Sequence, residues 1–196
     1  YDLAPGACIG LAWVYPKQLR MAAGSRIDHF TVAVNLDSLE LGESATIGRS
    51  NWITGFPTGT ASRHFAHQPE RRAELKLGAH AAITKNHHFD ATNSIKIGSY
   101  TTIAGYGSQL LSHSIDLQRN RQHSAPITIG SYCFVGTSCV FLAGTSLPDH
   151  SVLAACSLLN KPYLNGWGLF AGQPACRKKD LDPVALYFSR KVGFVN

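Results

Sequence analysis

The sequence predicts an all-β fold built as a triangular solenoid, and three regularities predict it. Between Ile127 and Ser157 an aliphatic or aromatic residue returns at every sixth position: Ile129, Val135, Phe141, Leu147 and Leu153. Four places after each stands a small residue: Cys133, Cys139, Thr145, Ser151 and Ser157. An apolar-x-apolar-Gly signal recurs as "LELG" (Leu39–Gly42), "LKLG" (Leu75–Gly78), "IKIG" (Ile95–Gly98) and "ITIG" (Ile127–Gly130). This period matches neither the roughly 3.6-residue turn of a helix nor the simple alternation of a long strand. It fits a chain that makes one short, flat side per hexad. One side chain points into a shared core, and a small residue sits near each corner, where a bulky one would clash. Coils stacked this way pair backbone to backbone and bury one continuous core. A sandwich of short strands has no reason to hold so strict a count.

In chain order, Met21, Ile27, Ala33 and Leu39 open the count weakly. Leu41 leads to Ile47 and Ile53, and Leu77 to Ile83, Phe89 and Ile95. Ile97 leads to Ile103, after which the count lands on polar Gln109 and weakens. Coil starts lie 20 residues apart from Met21 to Leu41 and from Leu77 to Ile97, and 18 apart from Ile129 to Leu147. The longer steps, 36 from Leu41 to Leu77 and 32 from Ile97 to Ile129, locate two inserted loops, Pro57–Glu74 and Ser112–Pro126. The tail "DLDPVALYFSRKVGF" predicts a short C-terminal helix over Val184–Lys191, with Asp182 as N-cap and Pro183 at the first helical position, closing the end of the solenoid. The expectation is a single domain over residues 1–196.

With 196 residues, 44% apolar and 15% charged, the chain can bury one sizeable core, and its low charge leaves much of the surface neutral or covered. No apolar run reaches the roughly 18 residues of a transmembrane helix. The first residues hold no basic leader followed by a long apolar stretch, so no signal peptide is expected within them, and an odd set of five cysteines fits reduced thiols in a cytoplasmic protein. The cysteines Cys8, Cys133, Cys139, Cys156 and Cys176 show no CxxC or CxxxxH spacing, which argues against a disulfide framework or a zinc site. A net charge of +6 suits an anionic ligand, but the basic residues are scattered apart from Arg71–Arg72 and Arg177–Lys179. No nucleic-acid-binding pattern accompanies them.

From Ile95 to Arg177 the motifs "IKIGSYTTIAGYGSQLLSHS", "ITIG", "AACSLLNK" and "FAGQPACR" resemble the hexapeptide-repeat acyltransferases. Among these the chain is most similar to the small sugar O-acetyltransferases of the galactoside, maltose, nodulation-factor and colanic-acid types. The looser hexad pattern over Met21–Leu159 is shared by the whole superfamily. The resemblance implies a left-handed parallel β-helix and a homotrimer with its active sites between subunits. It implies acetyl-CoA as acyl donor, no metal, and a sugar or glycan hydroxyl as acceptor, as in polysaccharide biosynthesis.

It also implies site residues. His113, in "LLSHSID", is the expected general base. An imidazole takes the hydroxyl proton as the oxygen attacks a thioester and hands it to the leaving thiolate. No acyl-enzyme is required, because holding the two substrates in line supplies much of the rate. Asp116 is the candidate to orient that imidazole, although Ser114 stands where the colanic-acid type carries an acidic residue. In "TKNHHFDAT", Asn86 is the candidate for the acceptor or the developing oxyanion, with His87, His88 and Asp90 as acceptor-binding candidates. The His pair also reads as an ordinary polar corner. For the donor, backbone at Ala143, Gly144 and Ala155 would line the pantetheine arm, and Lys161, Arg177 and Lys178 would meet the phosphates. Cys156 stands where Gly is usual, and Cys176 pushes Arg177 one place late in the AG-x-PA-K/R signature.

An N-acetyltransferase acting on an amino sugar and a non-catalytic β-helix scaffold are the alternatives. The γ-carbonic anhydrases of the same solenoid need an HxxxxH pair, which this chain lacks. The nucleotidyltransferases need a Gly-rich nucleotide-binding domain ahead of the solenoid.

Overall fold

Each hexad has room for one or two inward side chains before the chain must turn, so the strands are very short. In the computed structural model, which describes Tyr1–Val195, they form three parallel sheets. Sheet A runs from Asp2–Leu3 through Gln18–Met21, Ser38–Leu41, Glu74–Leu77, Ile95–Ile97 and Ile127–Ile129 to Ser146–Leu147. Sheet B starts at Cys8–Ile9 and ends with the antiparallel hairpin Gly168–Gly172/Ala175–Asp180; sheet C runs from Trp13–Tyr15 to Leu158–Leu159. The chain visits A, B and C in turn, and each strand pairs with its equivalent one coil away.

Register makes the core. Leu41, Leu77, Ile97, Ile129 and Leu147 stack in sheet A. Ile27, Ile47, Ile83, Ile103, Val135, Leu153 and Phe170 stack in sheet B. Ala33, Ile53, Phe89, Leu110, Phe141 and Leu159 stack in sheet C. All are buried. Leu110, not Gln109, takes the inward place: one extra residue enters at the turn holding Gly105 and Gly107, both at φ 72°, and the count slips by one. The small residues Cys133, Cys139, Ser151 and Ser157 lie buried just past the corners. Burial pushes the Cys133 thiol up to about 12. Among the described residues no helix is long and apolar enough to cross a membrane.

Just before each small residue, the corner itself is a residue in the left-handed region. Between sheets A and B the first three coils place Gly6, Gly24 and Ser44 there, and the later coils His80, Tyr100, Tyr132, His150 and Trp167, these five with φ from 53° to 58°. Their rings stack in one ladder, with successive centroids 5.0, 4.7, 5.3 and 4.3 Å apart.

The C-terminal helix expected over Val184–Lys191 is not formed. The segment makes only a 3-10 turn, Leu186–Ser189, with no buried residue. Asp182 does accept from the Val184 amide at 3.0 Å, but the apolar residues that follow, Val184, Tyr187 and Phe188, are not buried as one face of a helix. The segment instead straps the aromatic ladder. Tyr187 Oη donates to Cys133 O at 2.9 Å, Tyr132 Oη to Arg190 O at 3.2 Å, and Phe188 meets Trp167 edge-on. The hairpin on sheet B, not the tail, covers the last coil.

The corner geometry inverts the usual ranking of Ala over Gly. Tyr132→Ala keeps the left-handed penalty, about 1–2 kcal/mol for a residue with a Cβ, while Tyr132→Gly removes it. Both lose the ring stacking, so urea titration is expected to find the Gly variant the more stable of the two.

Candidate functional site

Both loops leave the solenoid at the same corner, between sheets C and A. Asp90 is the outward residue that ends strand His88–Asp90 at this corner, beside inward Phe89. One coil on, His113 opens a hairpin of strands His113–Asp116 and Arg121–Ser124. Its Nδ1 lies 3.4 Å from Asp90 Oδ2, and its Nε2 lies 2.5 Å from the side-chain amide of Gln122. Phe65 of the first loop packs against the imidazole at 5.6 Å between centroids, nearly perpendicular.

The two loops are fastened to each other and to the solenoid. Gln68 Nε2 donates to Ser124 O at 2.8 Å, and its Oε1 accepts from Ser124 N at 3.1 Å and from Ser124 Oγ at 2.9 Å. Asp37 accepts from Lys17 at 2.9 Å and from the amides of Thr58 and Ala73 at 3.0 Å, which ties down both ends of the first loop. Burial alone would raise the Asp37 pKa; these bonds, led by Lys17, hold it below its ordinary value. Buried Arg71 reaches the carbonyls of Phe56 and Thr92 at 2.5 Å, and its guanidinium carbon sits 4.3 Å from the Phe65 ring centroid.

The next turns of this corner continue the site. Gly144, at φ 80°, donates its amide to Pro126 O at 3.2 Å, directly above the base of the hairpin. A Cβ at Gly144 would meet only Ala125, at 3.6 Å. Ala143 precedes it, and Lys161 follows on the last coil with its ammonium 5.4 Å from the Tyr163 ring. His113, Ala143, Gly144 and Lys161 therefore share one edge of the prism.

Several expected residues lie elsewhere. Asp116 does not orient His113: across the hairpin it pairs with Arg119 at 3.1 Å and Arg121 at 3.5 Å, and these hold its pKa low. Asp90, reached by stacking and not by sequence proximity, stands beside the imidazole instead. Asn86 and Ala155 lie at the corner between sheets B and C, across the width of sheet C from His113. His87 is a buried corner residue, not an acceptor ligand. Its Nδ1 accepts from Ser108 N at 3.1 Å, and its Nε2 meets Thr84 Oγ1 at 3.0 Å. Since Thr84 donates onward to a carbonyl, the His87 proton sits on Nε2. His88 faces outward on sheet C between Trp52 and Gln109. Arg177 is not free for phosphates: it binds Asp180 at 2.8 Å and the carbonyls of Asn165, Gly166 and Trp167. Lys178 is exposed on the terminal hairpin. Gln122, Phe65 and Arg71 went unread as site residues. Pairing the hairpin from His113 outward would have found Gln122, the diagonal neighbour two places before Ser124.

Burial first, and His88 second, push the His87 pKa down to about 4. The unfolded imidazole, near 6.5, binds its proton first, so the stability it contributes is present above about pH 6.5 and is lost as pH falls toward 4. The expected loss is up to about 1.4 kcal/mol per pH unit. Urea midpoints from pH 7 to 4 should fall more steeply for wild type than for His87→Asn; equal slopes would contradict the assignment.

No protein-family model and no curated protein matches the sequence. Solved structures do. A hexapeptide-repeat containing acetyltransferase from Vibrio cholerae, complexed with acetyl coenzyme A, is 22% identical with a TM-score of 0.58, over 73% of this chain and 71% of that one. An N-acyltransferase from Bacillus cereus, in complex with dTDP-4-amino-4,6-dideoxyglucose and coenzyme A, is 10% identical with a TM-score of 0.54, over 90% and 83%. The polySia-specific acetyltransferase NeuO is 16% identical with a TM-score of 0.50, over 92% and 86%. What this likeness shows is the shared fold, the left-handed hexapeptide-repeat β-helix expected from the sequence.

Proposed function

We propose that the protein is an acyl-CoA-dependent acyltransferase that moves an acetyl group from acetyl-CoA to a hydroxyl of a sugar or glycan, with His113 as general base. The observation that carries this reading is the row Asp90–His113–Gln122 at the corner where both loops enter. Fold relatives complexed with acetyl coenzyme A or coenzyme A support the donor.

The chemistry follows from the proton positions. A carboxylate beside Nδ1 favours the tautomer with its proton there, leaving Nε2 with a lone pair. A bare Nε2 needs a donor, so Gln122 presents its amide NH2, a flip that moves no heavy atom. The acceptor hydroxyl replaces that amide and gives its proton to Nε2 as its oxygen attacks the thioester carbonyl. The tetrahedral intermediate then breaks its C–S bond, and the thiolate recovers the proton from Nε2. Ala143 and Gly144 would offer close backbone to the pantetheine arm, and Lys161 a charge for the phosphates. The two loops below would hold the acceptor.

The same reading includes a homotrimer built on sheet C. Its outer face exposes Trp13 at 56%, Tyr15 at 68% and Trp52 at 52%, alongside Val32, Val34 and Leu111, an apolar face atypical of a free surface. Both the B–C and the C–A corner border this sheet. Threefold packing there brings one corner of each copy against the other corner of the next, so the partner's Asn86 and Ala155 would face His113 and Gly144.

In an assay of CoA thiol release with sugar acceptors, His113→Ala is expected to lower kcat by about 10²–10⁴-fold. Asp90→Asn should lower kcat with KM for acetyl-CoA unchanged, while Asp116→Asn changes neither. Full activity in His113→Ala would remove it as the base. Light scattering should give three times the chain mass, and Trp52→Glu should reduce both mass and turnover; a monomeric active wild type would refute the trimer.

A further inference from the structure

Arg71 is a charge taken out of water without a counter-charge. It is 6% exposed, and among the described residues no carboxylate lies within ion-pair distance of it. The nearest acidic influence, Asp37, is already bound by Lys17 and two amides. Two neutral carbonyls take its Nη1, while its buried Nε has no hydrogen-bond partner. Burying a guanidinium this way is costly unless something anionic completes it. Arg190 shares the unfilled Nε, but it lies on Tyr187 at the A–B corner, away from both loops.

Arg71 lines a cavity of about 150 Å³ with Phe56, Thr58, Ser62 and Phe65. That is below the roughly 300 Å³ of a pocket enclosing a whole small molecule, so it suits one group of a larger ligand. The cavity adjoins, at Ser62, a groove of about 530 Å³ between the two loops. Arg63, His64, Asn120 and Arg121 wall that groove, and Gln122, the partner of His113 Nε2, also lines it. One phenyl ring, Phe65, separates the Arg71 guanidinium from the imidazole.

The charge of the loops has the same sign. Residues 57–74 and 112–126 carry five arginines against Glu70, Glu74 and Asp116. Glu74 pairs with Lys76, and Asp116 with Arg119 and Arg121, inside the structure.

We infer that the acceptor is an acidic glycan: its sugar lies in the groove between the loops, and an oxyanion on it, carboxylate or phosphate, is bound by Arg71. The planar guanidinium fork matches either group, and a buried site screens the attraction little. Arg63 and Arg121 steer the chain and bind further acidic units along the groove. This rests on the acyltransferase reading for the identity of the groove as the acceptor side, while the anion preference can be measured without any turnover.

The test is equilibrium binding to the wild-type protein without acyl donor, by titration calorimetry. The probes are methyl glucuronide, methyl glucuronamide, glucose 6-phosphate and methyl glucoside. One of the two anionic sugars is expected to bind at least about tenfold more tightly than the two neutral ones, the scale of a charge-assisted hydrogen bond. Which one does so identifies the oxyanion. Because the ligand is varied and the protein is not, folding defects cannot imitate the result. Arg71→Gln should abolish the preference, and Arg63→Gln and Arg121→Gln, at exposed positions, should weaken it and reduce its salt dependence. Equal binding of acidic and neutral sugars, or binding of none, overturns the inference even where acetyl transfer to a neutral sugar is found. An anion preference without CoA release would keep this inference and remove the acyltransferase reading.

Discussion

At most corners between sheets A and B and between B and C the chain turns by a third of a circle within about two residues, and it does so by placing one of them in the left-handed region. The amide of that residue then bonds back to the coil before, as Tyr100 N does to Ala79 O at 2.9 Å and Tyr132 N to Ser99 O at 2.9 Å. Left-handed geometry costs an L-residue about 1–2 kcal/mol. Along the A–B edge from His80 onward that cost falls on aromatic residues, whose stacked rings contribute about 0.5–1.5 kcal/mol per pair. The sides between corners are too short to choose their own register; they take it from the corners. The core, the parallel pairing and the straight edges of the prism all depend on this one turn.

A straight edge brings residues from distant parts of the sequence into one line. His113, Gly144 and Lys161 are far apart in sequence, yet they fall in line because each occupies the same corner of successive coils. Orientation rests on a rigid scaffold, and the loops add only what varies. The fastenings follow this division. Gln68 and Asp37 fasten the loops through backbone groups, leaving the exposed Arg63 side chain to meet a ligand.

Much of the fold was readable because a hexad repeats its physics at each step. Ile129, Val135, Phe141, Leu147 and Leu153 are all inward, and both loops fall where the spacing overran. The slip at Gln109 was not readable, since the count sees only distance and two glycines can absorb an extra residue at a corner. The site was harder for the same reason. Asp116 is three residues from His113 in the chain, whereas Asp90 is its neighbour only through the stacking of coils. Arg177 matched a motif but is held by carbonyls that no motif describes. The tail offered a cap and a short helical pattern, but a helix of about two turns needs a buried face to hold it, and here Tyr187 and Phe188 go to the aromatic ladder instead.

Because each coil touches only the coils beside it, the distance in sequence between touching residues stays near one coil wherever no loop intervenes. Such a chain can begin folding at any coil and zip outward. An insertion at a corner is then felt locally. Doubling the length of a flexible loop adds only about 0.6 kcal/mol of closure entropy. A lineage carrying this scaffold is therefore free to lengthen, shorten or exchange the segments after Thr54 and Ser112 while the prism that holds Asp90 and His113 is inherited unchanged.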